Sequence, residues 1–198
     1  MIKAVLDYHN SLESWDTFVK ELKVKYKLDY GLLRDEFDAE NLNYYVYTAH
    51  WKIIDPAIIV SDAPAIYSID LKTVTLDEVL AVNEKNFNLQ ALQLQRLANG
   101  TTIRRSKLQK IPIAGIAAWF DVEFNGGVIK STMSTGPENG YTHWGQYALY
   151  FLKSLIWDNP DANELSGSFA MHRTPANPRM YDIHLTMNGG KRAIYNLP

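Results

Sequence analysis

The sequence predicts a mainly β protein led by a helical segment. Three observations support this. Apolar residues recur at helical spacing through residues 10–25. From residue 57 onward, short alternating or β-branched runs follow one another with Gly, Pro and Asn between them, the pattern of a sandwich or a barrel. Between the two halves lies Asp55-Pro56, and the residue before a proline avoids the α region.

The first helix is expected over residues 10–25. Asn10 is placed to cap it, and Glu13 to return the capping interaction. Leu12, Trp15, Phe18, Val19 and Leu22 fall on one stripe. Lys20, Lys23, Lys25 and Lys27 gather towards the C-terminal end, where the helix dipole favours cations. A second helical piece is expected near Asp29, with Leu28, Leu32 and Leu33, and a third near Asp38, with Leu42, Tyr45 and Val46. The apolar stripe permits two uses. It can pack on its own chain, or it can cross to another protomer.

The β half is expected to begin with an alternating run, Ala63 to Leu71, followed by β-branched Thr73-Val74-Thr75-Leu76 and a short turn at Asp77-Glu78. Phe87 to Leu94 is read as a strand. Asn99-Gly100 is a turn signal, and the basic stretch after it (Arg104, Arg105, Lys107, Lys110) reads as a solvated hairpin. Ile111 to Phe124 alternates most clearly. Asn125-Gly126-Gly127 turns it back along Val128 to Thr135. Further strands are expected at Tyr147–Lys153, Leu165–Met171, Arg179–Met187 and Lys191–Tyr195, each bounded by Pro, Asn or Gly.

Composition narrows the possible functions. Hydrophobic residues make up 46% and aromatics 12% of the 198 residues, enough for a sizeable core. With 20 basic and 22 acidic residues the net charge is -2, so there is no overall attraction to nucleic acid or to an acidic membrane. The chain has no cysteine, which excludes a disulfide framework and a thiolate metal site and suits a reducing compartment. No apolar run reaches the ~18 residues of a membrane span. His9, His50, His172 and His184 show no metal-ligand spacing and are read as structural.

Chemistry concentrates at Tyr141-Thr142-His143-Trp144, which follows the turn-rich Ser134-Thr135-Gly136-Pro137-Glu138-Asn139-Gly140. Imidazole titrates most readily near neutrality, and indole offers the best aromatic face to a cation. This run resembles the Thr-His-Trp loop of the protein arginine methyltransferases. Ala118 to Phe124 resembles the barrel strand upstream of that loop, and Gly167–Met171 and Tyr181–Leu185 the strands that follow it. Tyr44 to Trp51 resembles the exit of the family's dimerisation arm, most like a plant-type branch with a long arm. The resemblance covers roughly residues 10–198.

The resemblance implies an antiparallel β-barrel-like substrate domain over 56–198, preceded by an α-helical dimerisation arm over 1–55. His143 would be the catalytic residue, paired with an acidic residue of a cofactor-binding domain. Trp144, Thr142 and Tyr141 would meet the substrate. Leu12, Trp15, Phe18, Val19 and Leu22 would carry the arm onto a second protomer. A guanidinium has a pKa above ~12, so an imidazole near ~6.5 cannot deprotonate it in the ground state. It can help as methylation makes the proton acidic, or it can hold a carboxylate in place. Asp121, Glu123 and Glu138 are read as solvated carboxylates.

The family's glycine-rich cofactor fingerprint is not found, since Gly126-Gly127 and Gly189-Gly190 fall in hairpin turns. Its two-glutamate catalytic loop is missing too, as is the barrel strand before the arm, whose loss should leave an open edge or recruit a replacement from residues 1–9. The expectation is therefore the C-terminal barrel and arm of a protein that uses S-adenosylmethionine, with no cofactor and no metal bound by this chain and no catalysis by it alone. Its expected partners are a second protomer and an arginine-containing protein, not nucleic acid or membrane, and its expected location is the cytoplasm, the nucleus or both. The alternative is a natural non-catalytic subunit that docks on an active arginine methyltransferase and regulates it.

Overall fold

The computed structural model describes residues 3–97, 99–104, 110–161 and 163–197. Helix α1 runs Lys3–Tyr26, and α2 runs Arg34–Tyr45 after a 3-10 turn at Gly31–Leu33. Asn10 is thus inside α1 and does not cap it, because residues 3–9 contain no Gly or Pro to stop the helix from extending backwards. For the same reason residues 3–9 supply no replacement strand, and Met1 and Ile2 lie outside the described residues. The pieces expected near Asp29 and Asp38 become the turn and one continuous helix, with Asp38 inside it.

The two helices pack on each other. Trp15 stacks on Phe37 with ring centroids 4.1 Å apart, and Ser11 Oγ donates to Asn41 Oδ1 at 2.7 Å. Arg34 pairs with Asp16 on α1 and with Asp38 on its own helix. This contact covers only part of the stripe. Leu12, Trp15, Val19 and Leu22 are half-buried, while Phe18 and the connecting Leu28, Leu32 and Leu33 stay exposed.

Two sheets follow. One has the order β1-β8-β5, from His50–Lys52, Gln146–Asp158 and Lys110–Ala118. The other has the order β11-β10-β9-β2, from Ala193–Leu197, Tyr181–Met187, Leu165–Arg173 and Ala81–Leu89. All ladders are antiparallel. A parallel bridge between Thr48 and Asn196 joins the two sheets, with Ala49 N–H donating to Asn196 O at 2.8 Å. Among the described residues no ladder joins β2 to β5, so the barrel is open there. Hairpins β3–β4 (Leu94–Arg96, Thr102–Arg104) and β6–β7 (Asp121–Phe124, Ser131–Ser134) stand apart.

The core lies between the sheets. Phe87, Ile111, Ile113, Leu149, Trp157, Leu165, Ile183, Leu185 and Tyr195 form one buried cluster. Its two polar tips are satisfied, as burial demands. Trp157 Nε1 donates to Asn163 O at 2.8 Å, and Tyr195 OH to Tyr150 O at 2.9 Å. β8 bends where its register against β5 shifts between Ile113 and Gly115. A Cβ at Gly115 would lie 2.3 Å from Leu149 O, so only glycine allows the strands to close at that point.

Several expected strands changed. Ala63–Leu71 forms none, because alternation without a pairing partner makes no ladder. There, Ile66 packs on the core while Ile69 and Leu71 face solvent. Thr75 is not in a strand. It caps the short helix α3, Leu76–Leu80, in a reciprocal capping box with Glu78. The run expected at Phe87–Leu94 splits into β2 and β3, and Ile111–Phe124 splits at Trp119-Phe120. Arg105 and Lys107 of the basic hairpin lie outside the described residues.

His184, on β10, sits 5.0 Å from the His172 ring. Burial, together with repulsion from His172 and Arg192, lowers its pKa despite the opposing pull of Asp182 and Glu84. The unfolded chain, with an ordinary imidazole near ~6.5, therefore takes up a proton before the folded one does. Stability should be full above that value and decline as pH falls through it. Thermal melts at about pH 7.5 and about pH 5.5 should show this drop, and His184→Gln should reduce it.

Candidate functional site

β7 ends at Ser134, and the chain then makes a 3-10 turn at Pro137–Asn139, reaches Gly140 and enters Tyr141-Thr142-His143-Trp144. Gly145 N–H donates to both the carbonyl and the hydroxyl of Thr142, at 3.2 and 3.1 Å. This folds residues 142–145 into a tight turn. Gly145 has φ +52°, and a Cβ there would lie 2.8 Å from Lys52 O and from the Trp51 ring. A side chain at this position would force the loop away from β1.

The loop is tied from two sides. Trp51 of β1 donates its indole N–H to Trp144 O at 2.8 Å. Gln146, fully buried, uses both ends of its amide. Its Nε2 donates to Thr135 O at 2.6 Å, and its Oε1 accepts from Ile54 N–H at 2.8 Å. Thr135, also fully buried, pairs in turn with Phe120: its hydroxyl donates to Phe120 O at 2.9 Å and accepts from Phe120 N–H at 3.2 Å.

These ties shape a cleft of about 550 Å³ lined by Trp51, Ala118, Trp119, Phe120, Tyr141, His143, Trp144, Gly145 and Tyr147. The wall is aromatic. Phe120 meets Trp144 edge-on at 6.0 Å, and His143 meets it at 6.2 Å. Aromatic faces carry the negative part of a quadrupole, so such a cleft favours a flat cation. Among the described residues no carboxylate lines it. Trp144 is 51% and Tyr141 74% exposed, so both can meet a ligand without the loop opening. The His143 imidazole has no hydrogen-bond partner among the described residues. It is exposed and free to take one from outside.

Of the four residues singled out in the sequence, Tyr141, His143 and Trp144 come together at the cleft. Thr142 does not line it, because its hydroxyl holds the turn. Sequence reasoning missed Trp51, Trp119, Phe120, Thr135 and Gln146 as parts of the site. The one available signal was a glutamine heading the apolar run Tyr147–Leu152. Among the described residues no group of His, Asp and Glu is placed to hold a metal ion. No described helix is long and apolar enough to cross a membrane.

A helical arm, an open antiparallel barrel and a His-Trp loop at an aromatic cleft define the barrel-and-arm class of domain. Residues 1–190 match the family model described as the arginine methyltransferase oligomerization subdomain. The chain belongs to this family. It is 28% identical over 186 residues to protein arginine N-methyltransferase PRMT10 of Oryza sativa subsp. japonica, an alignment covering 91% of this chain and 44% of that protein. It is 26% identical to PRMT10 of Arabidopsis thaliana, over 90% of this chain and 44% of that protein. The chain thus spans somewhat under half the length of the curated relatives it matches.

The fold resembles the crystal structure of Arabidopsis thaliana protein arginine methyltransferase 10, described as uniquely open, with a TM-score of 0.79 at 22% identity over 98% of this chain and 55% of that one. It also resembles a chain of the Trypanosoma brucei PRMT1 enzyme-prozyme heterotetrameric complex with AdoHcy, with a TM-score of 0.62 at 18% identity over 87% of this chain and 48% of that one. These two likenesses concern the fold.

Replacing Gln146 with leucine would leave Thr135 O and Ile54 N–H buried without partners, each costing roughly 1–3 kcal/mol. Gln146→Leu should therefore lower the denaturant midpoint with an unchanged slope. A midpoint equal to that of the unmodified chain would show that the amide ties contribute nothing.

Proposed function

We propose that this chain is the substrate-positioning and dimer-forming part of an S-adenosylmethionine-dependent protein arginine N-methyltransferase, and that it is not catalytic alone. The reading divides it into a helical arm over residues 1–55 and a β-barrel over residues 56–198, with β1 stitching the end of the first to the second. The observation that carries it is the exposed, unpartnered imidazole of His143 beside Trp144 at the rim of an aromatic cleft free of carboxylates. Trp144 and Tyr141 take the flat guanidinium against their faces. Thr142 acts by holding the turn. His143 holds a carboxylate supplied from outside this chain, and its imidazole helps carry the proton that a methylated guanidinium releases. Membership of a family described as an oligomerization subdomain supports the arm's role, as does the exposed apolar surface left by Phe18, Leu28, Leu32 and Leu33.

The described residues do not fit S-adenosylmethionine itself. The Gly126-Gly127 and Gly189-Gly190 pairs lie between strands and open no helix, and the cleft offers no carboxylate for ribose hydroxyls. The cofactor therefore belongs to another part of the assembly, and the missing carboxylate partner of His143 is expected there as well.

Calorimetric titration of the chain with S-adenosylmethionine should give no binding heat. Stoichiometric binding would contradict the division of labour. In a methyltransferase that carries this chain, His143→Ala should lower turnover on the order of 10²-fold. Full turnover in that variant would return His143 to a structural role.

A further inference from the structure

We infer that Thr135 is a positioning residue for the aromatic cleft. Its hydroxyl sets Phe120 against Trp144 and so fixes the gap into which the arginine side chain fits. This inference rests on the reading of the cleft proposed above. Thr135 lies in the turn-rich stretch before the loop, which that reading leaves without a role. It does not line the cleft, and it is fully buried.

Trp119 and Phe120 form the two-residue break between β5 and β6, and both line the cleft. At such a break the backbone has no ladder to hold it. Thr135 takes the ladder's place. Its N–H donates to Phe120 O at 3.1 Å, and its hydroxyl donates to the same oxygen at 2.9 Å while accepting from Phe120 N–H at 3.2 Å. Thr135 is itself held from behind, because its carbonyl accepts from Gln146 Nε2 at 2.6 Å. The backbone of Phe120 is therefore pinned at both polar atoms by one side chain. The consequence is the edge-on contact of its ring with Trp144 at 6.0 Å. Without the hydroxyl only the Thr135 N–H bond remains, and Phe120 gains freedom to swing out. A cleft whose competent form is only partly populated binds more weakly by that fraction.

The test uses the full 198-residue chain and an acetyl-Gly-Arg-Gly-amide peptide, with affinity read from the chain's tryptophan fluorescence. Thr135→Val keeps the shape and removes the hydroxyl, and should raise Kd roughly 3- to 10-fold. Thr135→Ser restores the hydroxyl and should bind within about twofold of the unmodified chain. Equal affinity in Thr135→Val, or equal weakening in both variants, would overturn the inference. A second readout needs no ligand. The nuclear Overhauser contact between the Phe120 and Trp144 rings should weaken in Thr135→Val, and its full retention would also overturn the inference. If the unmodified chain fails to bind the peptide, the proposed function falls, and the ring contact still decides the role of Thr135. If Thr135→Val does not fold, amide exchange in the unmodified chain decides it. The Phe120 N–H should exchange slowly, and fast exchange would overturn the assignment.

Discussion

The site depends on one buried amide. Gln146 heads β8, the strand that pairs with both β1 and β5, and its side chain turns back to hold two segments that no ladder reaches. With one end it holds the segment following β1, at Ile54, and with the other the start of the loop connection, at Thr135. A buried amide with both ends used is worth more than its two hydrogen bonds suggest, because either partner left alone would be a desolvated polar group. The cost of displacing it is what keeps the loop in one place. One aromatic wall of the cleft follows from this, and a second tie sets the other. Phe120 is held through Thr135, and Trp144 through the Trp51 indole.

The arrangement also connects the arm with the cleft. α2 ends at Tyr45, and within a few residues the same chain supplies Thr48, which bridges to β11, and Trp51, which holds the loop. His50 adds a contact on each side, with Nε2 3.0 Å from Tyr45 O and its ring 5.5 Å from that of Tyr150. The helices themselves are modestly packed, with a stacked Trp15–Phe37 pair and exposed ion pairs of the kind worth little in water. The seam thus ties the helices to the barrel, while Phe18, Leu28, Leu32 and Leu33 stay exposed.

The sequence shows some of this directly and hides the rest for physical reasons. The helical half was visible in its 3.6-residue stripe, and the order of the later strands in their turns. The loop was visible because His143 and Trp144 are adjacent, and adjacency survives in one dimension. The ladder partners were not visible. Ala63–Leu71 alternates as a strand does, yet it has no neighbour to pair with. Ile111–Phe124 reads as one run, because the hydroxyl that holds Phe120 at the break lies fifteen residues away. Asn10 has the chemistry of a cap but not the context, since the helix begins before it. Gln146 shows in the sequence only as a polar residue at the head of an apolar run, and its partners Thr135 and Ile54, 11 and 92 residues away, do not show at all.

The most direct test of a guanidinium-binding cleft is a magnetic-resonance titration of the 15N-labelled chain, following the indole N–H signals. The peptide is acetyl-Gly-Arg-Gly-amide, and the control is the same peptide with citrulline, which has the same shape and no charge. If the cleft takes a flat cation, the signals of Trp119 and Trp144 move with the arginine peptide and stay in place with citrulline. Equal movement with both peptides, or movement confined to Trp15 on the arm, would contradict it.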